Sequence, residues 1–146
     1  TEGADIIDIG GESTRPGAQN VSVQQELDRV IPVIESIYQR FDTIISIDTS
    51  KAQVMTEAVN AGASFINDVR ALQEDGSLSA ALKAGVPVCL MHMQGQPRLM
   101  QQNPSYNDVV EDVMTFLQDR ISVCYKAGIA LEHIVVDPGF GFGKSI

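Results

Sequence analysis

The sequence has no tryptophan, only two cysteines and two histidines, and 5% aromatic residues in 146 positions. Cys89 stands in an apolar run and Cys124 in a helical pattern, too few and too dispersed for a disulfide framework. Both read as reduced packing residues of a cytosolic protein. With His92 and His133 isolated and no cysteine pair at ligand spacing, a dedicated zinc site is excluded. Basic residues are also scarce, 10 against 19 acidic ones, for a formal net charge of −9. Such a surface disfavours nonspecific binding to nucleic acid or anionic membrane, both of which need basic patches. Long apolar runs are missing too: each is broken by a charge, Gly or Pro well short of the roughly 18 residues of a spanning helix. No signal peptide is expected either. What is present, 44% hydrophobic and 20% charged residues, suffices for one packed domain.

A phrase recurs along the chain: a Gly, a short run rich in Ile and Val, then a polar residue. Gly3 leads into Ala4–Ile9, Gly62 into Ala63–Asp68, Gly85 into Val86–His92 and Gly128 into Ile129–Asp137. Thr43–Asp48 ends the same way without the leading Gly. Short apolar runs bounded by breakers are the pattern of strands in a buried parallel sheet. Helical segments lie between them. Ser22 and Gln25 have capping-box spacing before a face of Val23, Leu27, Val30, Ile31, Ile34 and Ile37, with Pro32 expected to kink the run. Ser50 and Gln53 repeat the capping pattern before Val54, Met55, Ala58 and Val59. A shorter helix is expected over Leu78, Ala81 and Leu82, and the longest from near Ser105 or Asn107 through Val110, Val113, Leu117, Ile121 and Cys124. Five strands thus alternate with four complete helices, an α/β order with parallel strands and right-handed crossovers.

Both an open doubly wound sheet and a (β/α)8 barrel alternate in this way. An open sheet needs functional groups only at its switch point, whereas a barrel delivers them from strand after strand. Here successive strand ends carry Asp8 with Glu12, Asp48, Asn67 with Asp68, Met91 with His92, and Asp137. That succession favours the barrel. A closed barrel takes about 250 residues, so a single partial barrel domain over 1–146, truncated at both ends, is expected.

The loop Gly10-Gly11-Glu12-Ser13-Thr14-Arg15-Pro16-Gly17 presents a hydroxyl and a planar guanidinium suited to a carboxylate or phosphate oxygen. An ordinary polar surface loop is the alternative. Asp48 is either a carboxylate at the barrel mouth or the cap of the next helix. Of Asn67 and Asp68, strand alternation sends one side chain inward and one outward. The run Asp137-Pro138-Gly139-Phe140-Gly141-Phe142-Gly143-Lys144-Ser145 ends like a phosphate-binding loop, but Pro138 stands where that motif needs Gly. Its glycines also alternate too closely for a dinucleotide fingerprint. What remains is a loop able to pass near a flat ligand, with Phe140 and Phe142 available for stacking. His92 has no partner carboxylate in its own segment and reads as structural, while Met91 is the soft contact for an aromatic ring.

In this order and spacing, the segments Gly10–Gly17, Ile47–Lys51, Ile66–Asp68, Leu90–Gly95 and Asp137–Lys144 resemble the dihydropteroate synthase family, over essentially all 146 residues. The resemblance implies a (β/α)8 TIM barrel, here about strands 2 to 6, of a cytoplasmic transferase that is often a homodimer. It implies folate biosynthesis: p-aminobenzoate joined to 6-hydroxymethyl-7,8-dihydropterin diphosphate with release of pyrophosphate, the step that sulfonamides block. Asp137 would then accept from the pterin's amino group and ring N–H, Asp48 and Asn67 would complete the polar edge, and Met91 and Phe142 would pack on the ring. Asp48 and Asp137 would be catalytic, favouring the cationic character that develops on the pterin when pyrophosphate leaves ahead of amine attack. Thr14, Arg15 and Pro16 would form the p-aminobenzoate side beside the diphosphate.

The same resemblance implies Mg²⁺ to offset diphosphate charge, with no metal ligand in this segment. The family's first-loop Asn, which holds Mg²⁺, precedes residue 1, and a Lys near the pterin and the Arg and His of the diphosphate site fall beyond residue 146. The segment alone is expected to be inactive and poorly stable, with unpaired strand edges and an uncovered core. Two alternatives stay open. One is a folate-dependent methyltransferase with a similar pterin-binding barrel, which has no use for the Ser13-Thr14-Arg15-Pro16 loop. The other is a noncatalytic pterin-binding module.

Overall fold

In the computed structural model, which describes residues 3–14, 17–93 and 108–142, five short strands alternate with four helices. The strands are β1 (Ile6–Gly10), β2 (Ile44–Asp48), β3 (Phe65–Asp68), β4 (Val88–Met91) and β5 (Ile134–Asp137). The helices are α1 (Val23–Tyr38), α2 (Ala52–Ala61), α3 (Ser77–Ala84) and α4 (Val109–Ala127). All neighbouring strands pair in parallel, and their order in the sheet is their order in the chain. With no reversal of order there is no switch point. Stepwise winding of this kind builds the wall of a barrel rather than a doubly wound open sheet.

Alternation along the strands sorts the side chains. Ile9, Ile45, Ile47, Ile66, Val88 and Leu90 pack with Val30, Ile34, Val54, Met55 and Ala58 of the helices in one core, none more than 9% exposed. Burying each such side chain contributes about 1.5–3 kcal/mol, and this fixes the register. A slip of one residue would exchange Ile45 and Ile47 for Ser46 and Asp48 in the core. Asp8, Ser46, Asp48, Asn67, Met91 and Asp137 occupy the opposite face.

The expected capping box of α1 forms: Ser22 Oγ accepts from Gln25 N at 3.2 Å, and Gln25 Oε1 accepts from Ser22 N at 3.0 Å. The helix runs through Pro32 without interruption, because burial of Val30 and Ile34 on either side holds it to the sheet. The second capping pattern does not form. Lys51 is the N-cap of α2 and makes no side-chain cap bond. Ser50 Oγ instead donates to Asp68 Oδ1 at 2.5 Å, a bond to a buried carboxyl that turns the hydroxyl toward β3. In α3, Ser77 and Ala80 join Ala81 on the buried face while Leu82 is exposed.

The cap of α4 is Asp108, whose carboxylate accepts from Val110 N and Glu111 N at 2.9 and 3.1 Å. Ser105 and Asn107 lie outside the described residues. The last apolar run is shorter as a strand than its composition suggests. Leu131–His133 form a 3-10 turn, and only Ile134–Asp137 finds partners, because β4 offers just the four residues Val88–Met91. Gly62 closes α2 with φ 124°, and a Cβ there would lie 2.6 Å from the Tyr38 ring, so both conformation and packing demand glycine. Cys89 and Cys124 are free and buried. Among the described residues no helix is long and apolar enough to cross a membrane.

Candidate active site

Parallel pairing brings the strand ends into rows. Asp48 pairs with Gly10 on one side and Asn67 on the other, and Asn67 pairs in turn with Cys89. Met91, two residues beyond Cys89, pairs with Asp137. Asp48 and Asn67 therefore share one row across the sheet, and Met91 and Asp137 share the next row toward the carboxyl ends, on the same face. Asp8 lies one row below, opposite Ser46, and accepts a hydrogen bond from Asn67 Nδ2 at 3.2 Å. Its signal in the sequence is the two-residue step to Gly10, which puts it on the face that carries Asp48.

Asp48 is half-buried, and its carboxyl is pushed up to about 7, first by burial and then by the nearby charges of Asp8, Asp68 and Glu26. It does not cap α2, whose N-cap is Lys51. Near neutral pH it can be either ionised or protonated, so a ligand that donates hydrogen bonds would shift it toward the carboxylate.

Asp68 is the member of its pair that turns toward the helices, fully buried. Burial pushes its pKa up against the hydrogen bonds it accepts from Ser50 Oγ, Arg70 N and Leu72 N. Those bonds shape the turn after β3, where Ala71 and Leu72 have φ of 52° and 57°. Arg120 of α4 closes the turn from the other side, donating to the Ala71 and Leu72 carbonyls at 2.9 and 3.0 Å. Left-handed backbone at non-glycine residues costs about 1–3 kcal/mol each, and these two anchors, buried Asp68 and half-buried Arg120, hold it in place.

Asp137 is exposed at the end of β5. Its Oδ1 accepts from Gly139 N at 2.7 Å, and its carbonyl accepts from His92 N at 2.9 Å. Gly139 has φ 65°, and a Cβ there would stand 2.2 Å from the His92 carbonyl oxygen, so the loop crosses β4 too closely for any side chain. Met91 is buried against that crossing. His92 is also buried, its ring meeting Phe116 edge-on at 5.0 Å and 83°. Phe142 is half-buried and its N donates to Gly139 O at 2.9 Å, while Phe140 is 88% exposed.

Thr14 lies on a cavity of about 560 Å³ between the β1–α1 loop and the ends of β2 and β3, along with Glu12, Glu26, Asp48, Lys51 and Arg70. Arg15 and Pro16 lie outside the described residues. Lys51 Nζ donates to Glu26 Oε2 at 2.6 Å and to Glu12 Oε2. Burial opposes the ionisation of Glu12, but bonds from Lys51 and Val21 outweigh it and hold its carboxyl below the ordinary value. Burial likewise opposes charge on Lys51, and the two carboxylates outweigh it and hold its pKa up. This ion-pair cluster has no sequence pattern, because its partners stand 39 and 25 residues from Lys51. Among the described residues no group of three or more His, Cys, Asp or Glu is arranged to hold a metal ion.

With strand-end carboxylates in register on one face of a barrel wall, the chain belongs to the pterin binding enzyme family, whose model matches residues 1–146. Its relatives carry a more particular name. It is 61% identical over 145 residues to the dihydropteroate synthase of Haemophilus influenzae, covering 99% of this chain and 53% of that protein. To that of Escherichia coli strain K12 it is 57% identical over 144 residues, covering 99% and 51%. The Yersinia pestis dihydropteroate synthase in a sulfonamide drug complex matches with a TM-score of 0.96 at 61% identity, over 98% of this chain and 52% of that one. The Xanthomonas albilineans enzyme with 4-aminobenzoic acid matches with a TM-score of 0.92 at 53% identity, over 99% and 50%. The chain thus spans about half the length of the curated relatives it matches. Its five-strand sheet is an arc of a (β/α)8 barrel, as the strand order requires.

Proposed function

We propose that the chain is the central part of a dihydropteroate synthase, joining p-aminobenzoate to 6-hydroxymethyl-7,8-dihydropterin diphosphate in folate biosynthesis. The observation that carries this reading is the alignment of Asp48 with Asn67 and of Met91 with Asp137, in successive rows on one face. A pterin offers an amino group beside a ring N–H, a flat donor pair that fits a carboxylate. Asp137 takes that pair, Asn67 and Asp48 complete the polar edge, and Met91 and Phe142 flank the ring. The partly buried Asp48 and Asn67, left without their donors, would disfavour a ligand lacking those groups.

In the reaction the bond from the exocyclic methylene to the diphosphate oxygen breaks, a bond to the p-aminobenzoate nitrogen forms, and that nitrogen gives up one proton to the departing pyrophosphate or to water. Positive character spreads over the pterin as pyrophosphate leaves. Carboxylates of Asp48 and Asp137 beside the ring stabilise that charge more than the neutral ground state, which is the requirement for acceleration. Donors on the pterin favour ionised Asp48, so substrate binding itself prepares the charge. Thr14, Arg15 and Pro16 serve the p-aminobenzoate side. The use of p-aminobenzoate itself is supported by the relatives crystallised with a sulfonamide drug complex and with 4-aminobenzoic acid.

Mg²⁺ at the diphosphate is assigned, as the family resemblance implies, to groups outside this chain, and no step here depends on it. The complete protein is proposed to be cytoplasmic, a reading supported by the two free, buried cysteines of this chain, and a homodimer, as the family resemblance implies. The direct test is pyrophosphate release by the full-length protein, which should require both p-aminobenzoate and the pterin diphosphate. Methyl transfer from a methylated folate, or pterin binding without turnover, would replace this reading with one of the two alternatives. The isolated chain should not turn over. Arg15→Ala should raise KM for p-aminobenzoate about tenfold, equivalent to one lost charge-assisted hydrogen bond, with pterin affinity changed less than about twofold.

A further inference from the structure

We propose that Glu12, Lys51 and Glu26 are positioning residues that hold the β1–α1 loop in its binding conformation and thereby set affinity for p-aminobenzoate. The inference rests on the functional reading above and assigns a part to residues that the pterin site does not use.

Glu12 stands at the start of the loop, and its Oε1 accepts from Val21 N at 3.0 Å, nine residues further on. One side chain thus ties the two ends of the loop together. Its other oxygen accepts from Lys51 Nζ. Arg29 of α1 fixes the same end, donating from Nη1 to Gly11 O at 2.8 Å. Lys51 continues the chain of contacts into the core by donating to Glu26 Oε2, on a side chain only 1% exposed whose Oε1 has no hydrogen-bond partner. Gly11 makes room for this arrangement, since a Cβ there would lie 2.8 Å from Glu26 Cγ. Three elements, the loop, α1 and the start of α2, therefore converge on one cation.

Apolar residues could join α1 to α2 with less desolvation, because burying a carboxylate costs several kcal/mol. What the ionic arrangement adds is direction. It reaches out of the core to a loop that carries Thr14, and it starts from the segment that carries Asp48. All of these residues line the same cavity. Because Lys51 is already engaged by two carboxylates, it is a poor direct ligand for an anionic substrate, and its part is to hold the loop. A loop ordered beforehand spares the ligand the entropy of ordering it on binding.

The test is Glu12→Ala in the full-length protein, a substitution at a side chain that is 29% exposed. KM for p-aminobenzoate should rise at least about tenfold, while Kd for the pterin diphosphate, measured by calorimetry, stays within about twofold. Hydrogen exchange at Val21 N–H should accelerate in parallel. Glu12→Gln keeps an acceptor oxygen for Val21 but turns its amide N–H groups toward the Lys51 ammonium, and should recover only part of the loss. If Glu12→Ala does not fold, Glu12→Asp, one methylene too short to reach both partners, should show the same split. An unchanged KM for p-aminobenzoate in a folded variant overturns the proposal, as does an equal loss for both substrates. Those outcomes require an active wild type, whereas a wild type that releases no pyrophosphate overturns the functional reading itself.

Discussion

Asp48 and Asp137 are the same residue at the carboxyl ends of strands in one sheet, on one face, yet they are held in opposite ways. Asp48 stands inside the wall with strands on both sides, half-buried, surrounded by Asp8, Asp68 and Glu26. Burial first and these charged neighbours second push its carboxyl up to about 7. Asp137 stands exposed on β5, and a backbone N–H from its own loop sets its orientation. One carboxylate is thus tuned in protonation and the other in position. The proposed reaction would use both, because a donor pair calls for a fixed acceptor, whereas a transient positive charge calls for a carboxylate whose ionisation follows the ligand.

The contrast can be broken at either end. The largest effect is expected from Asp137→Asn in the full-length protein, which replaces one acceptor of the donor pair by an amide. Affinity for the pterin diphosphate should fall roughly 100-fold, the scale of losing hydrogen bonds to a charged group. Unchanged affinity by calorimetry would refute the role of Asp137. Gly139→Ala should come next, destabilising the protein by about 2 kcal/mol in urea unfolding, because φ 65° and the His92 carbonyl both oppose a Cβ. A neutral result would mean that the loop does not orient Asp137 by crossing β4.

Asp48→Asn should have the smallest effect on the fold, and an effect that depends on pH. The folded pKa of Asp48 is raised from 3.8 to about 7, so the native state keeps a proton that the unfolded chain releases. Asp48 therefore weakens the native state progressively as pH rises from about 4 to 7, and by a constant amount above that range. Allowing for partial solvation, the Asn variant should gain roughly 1–2 kcal/mol of stability at pH 8 and essentially nothing at pH 4. Equal gains at both pH values would remove the basis for the contrast with Asp137.

The barrel was legible in the strand ends because parallel pairing converts a one-dimensional pattern into rows. Asp48, Asn67, Met91 and Asp137 each follow an apolar run, and register does the rest. Local start signals were read less well where a tertiary partner competed. Ser50 has the spacing of a cap but bonds Asp68, 18 residues away, leaving α2 uncapped. Lys51 carries no local signal of its own, and only the fold brings it between Glu12 and Glu26. The strand length of the final run was overread for a similar reason: Ile129 and Leu131 are apolar, but β4 has no residues left to pair with them.

The turn at Ala71 and Leu72 ties the site to a helix far along the chain. Its left-handed conformation is held by Asp68 from within the β3–α3 unit and by Arg120 from α4, 49 and 48 residues later in the sequence. Closing so long a loop costs entropy that the docking of α4 must offset, so the backbone following Asn67 is held in its final shape by α4 as well as by its own β3–α3 unit.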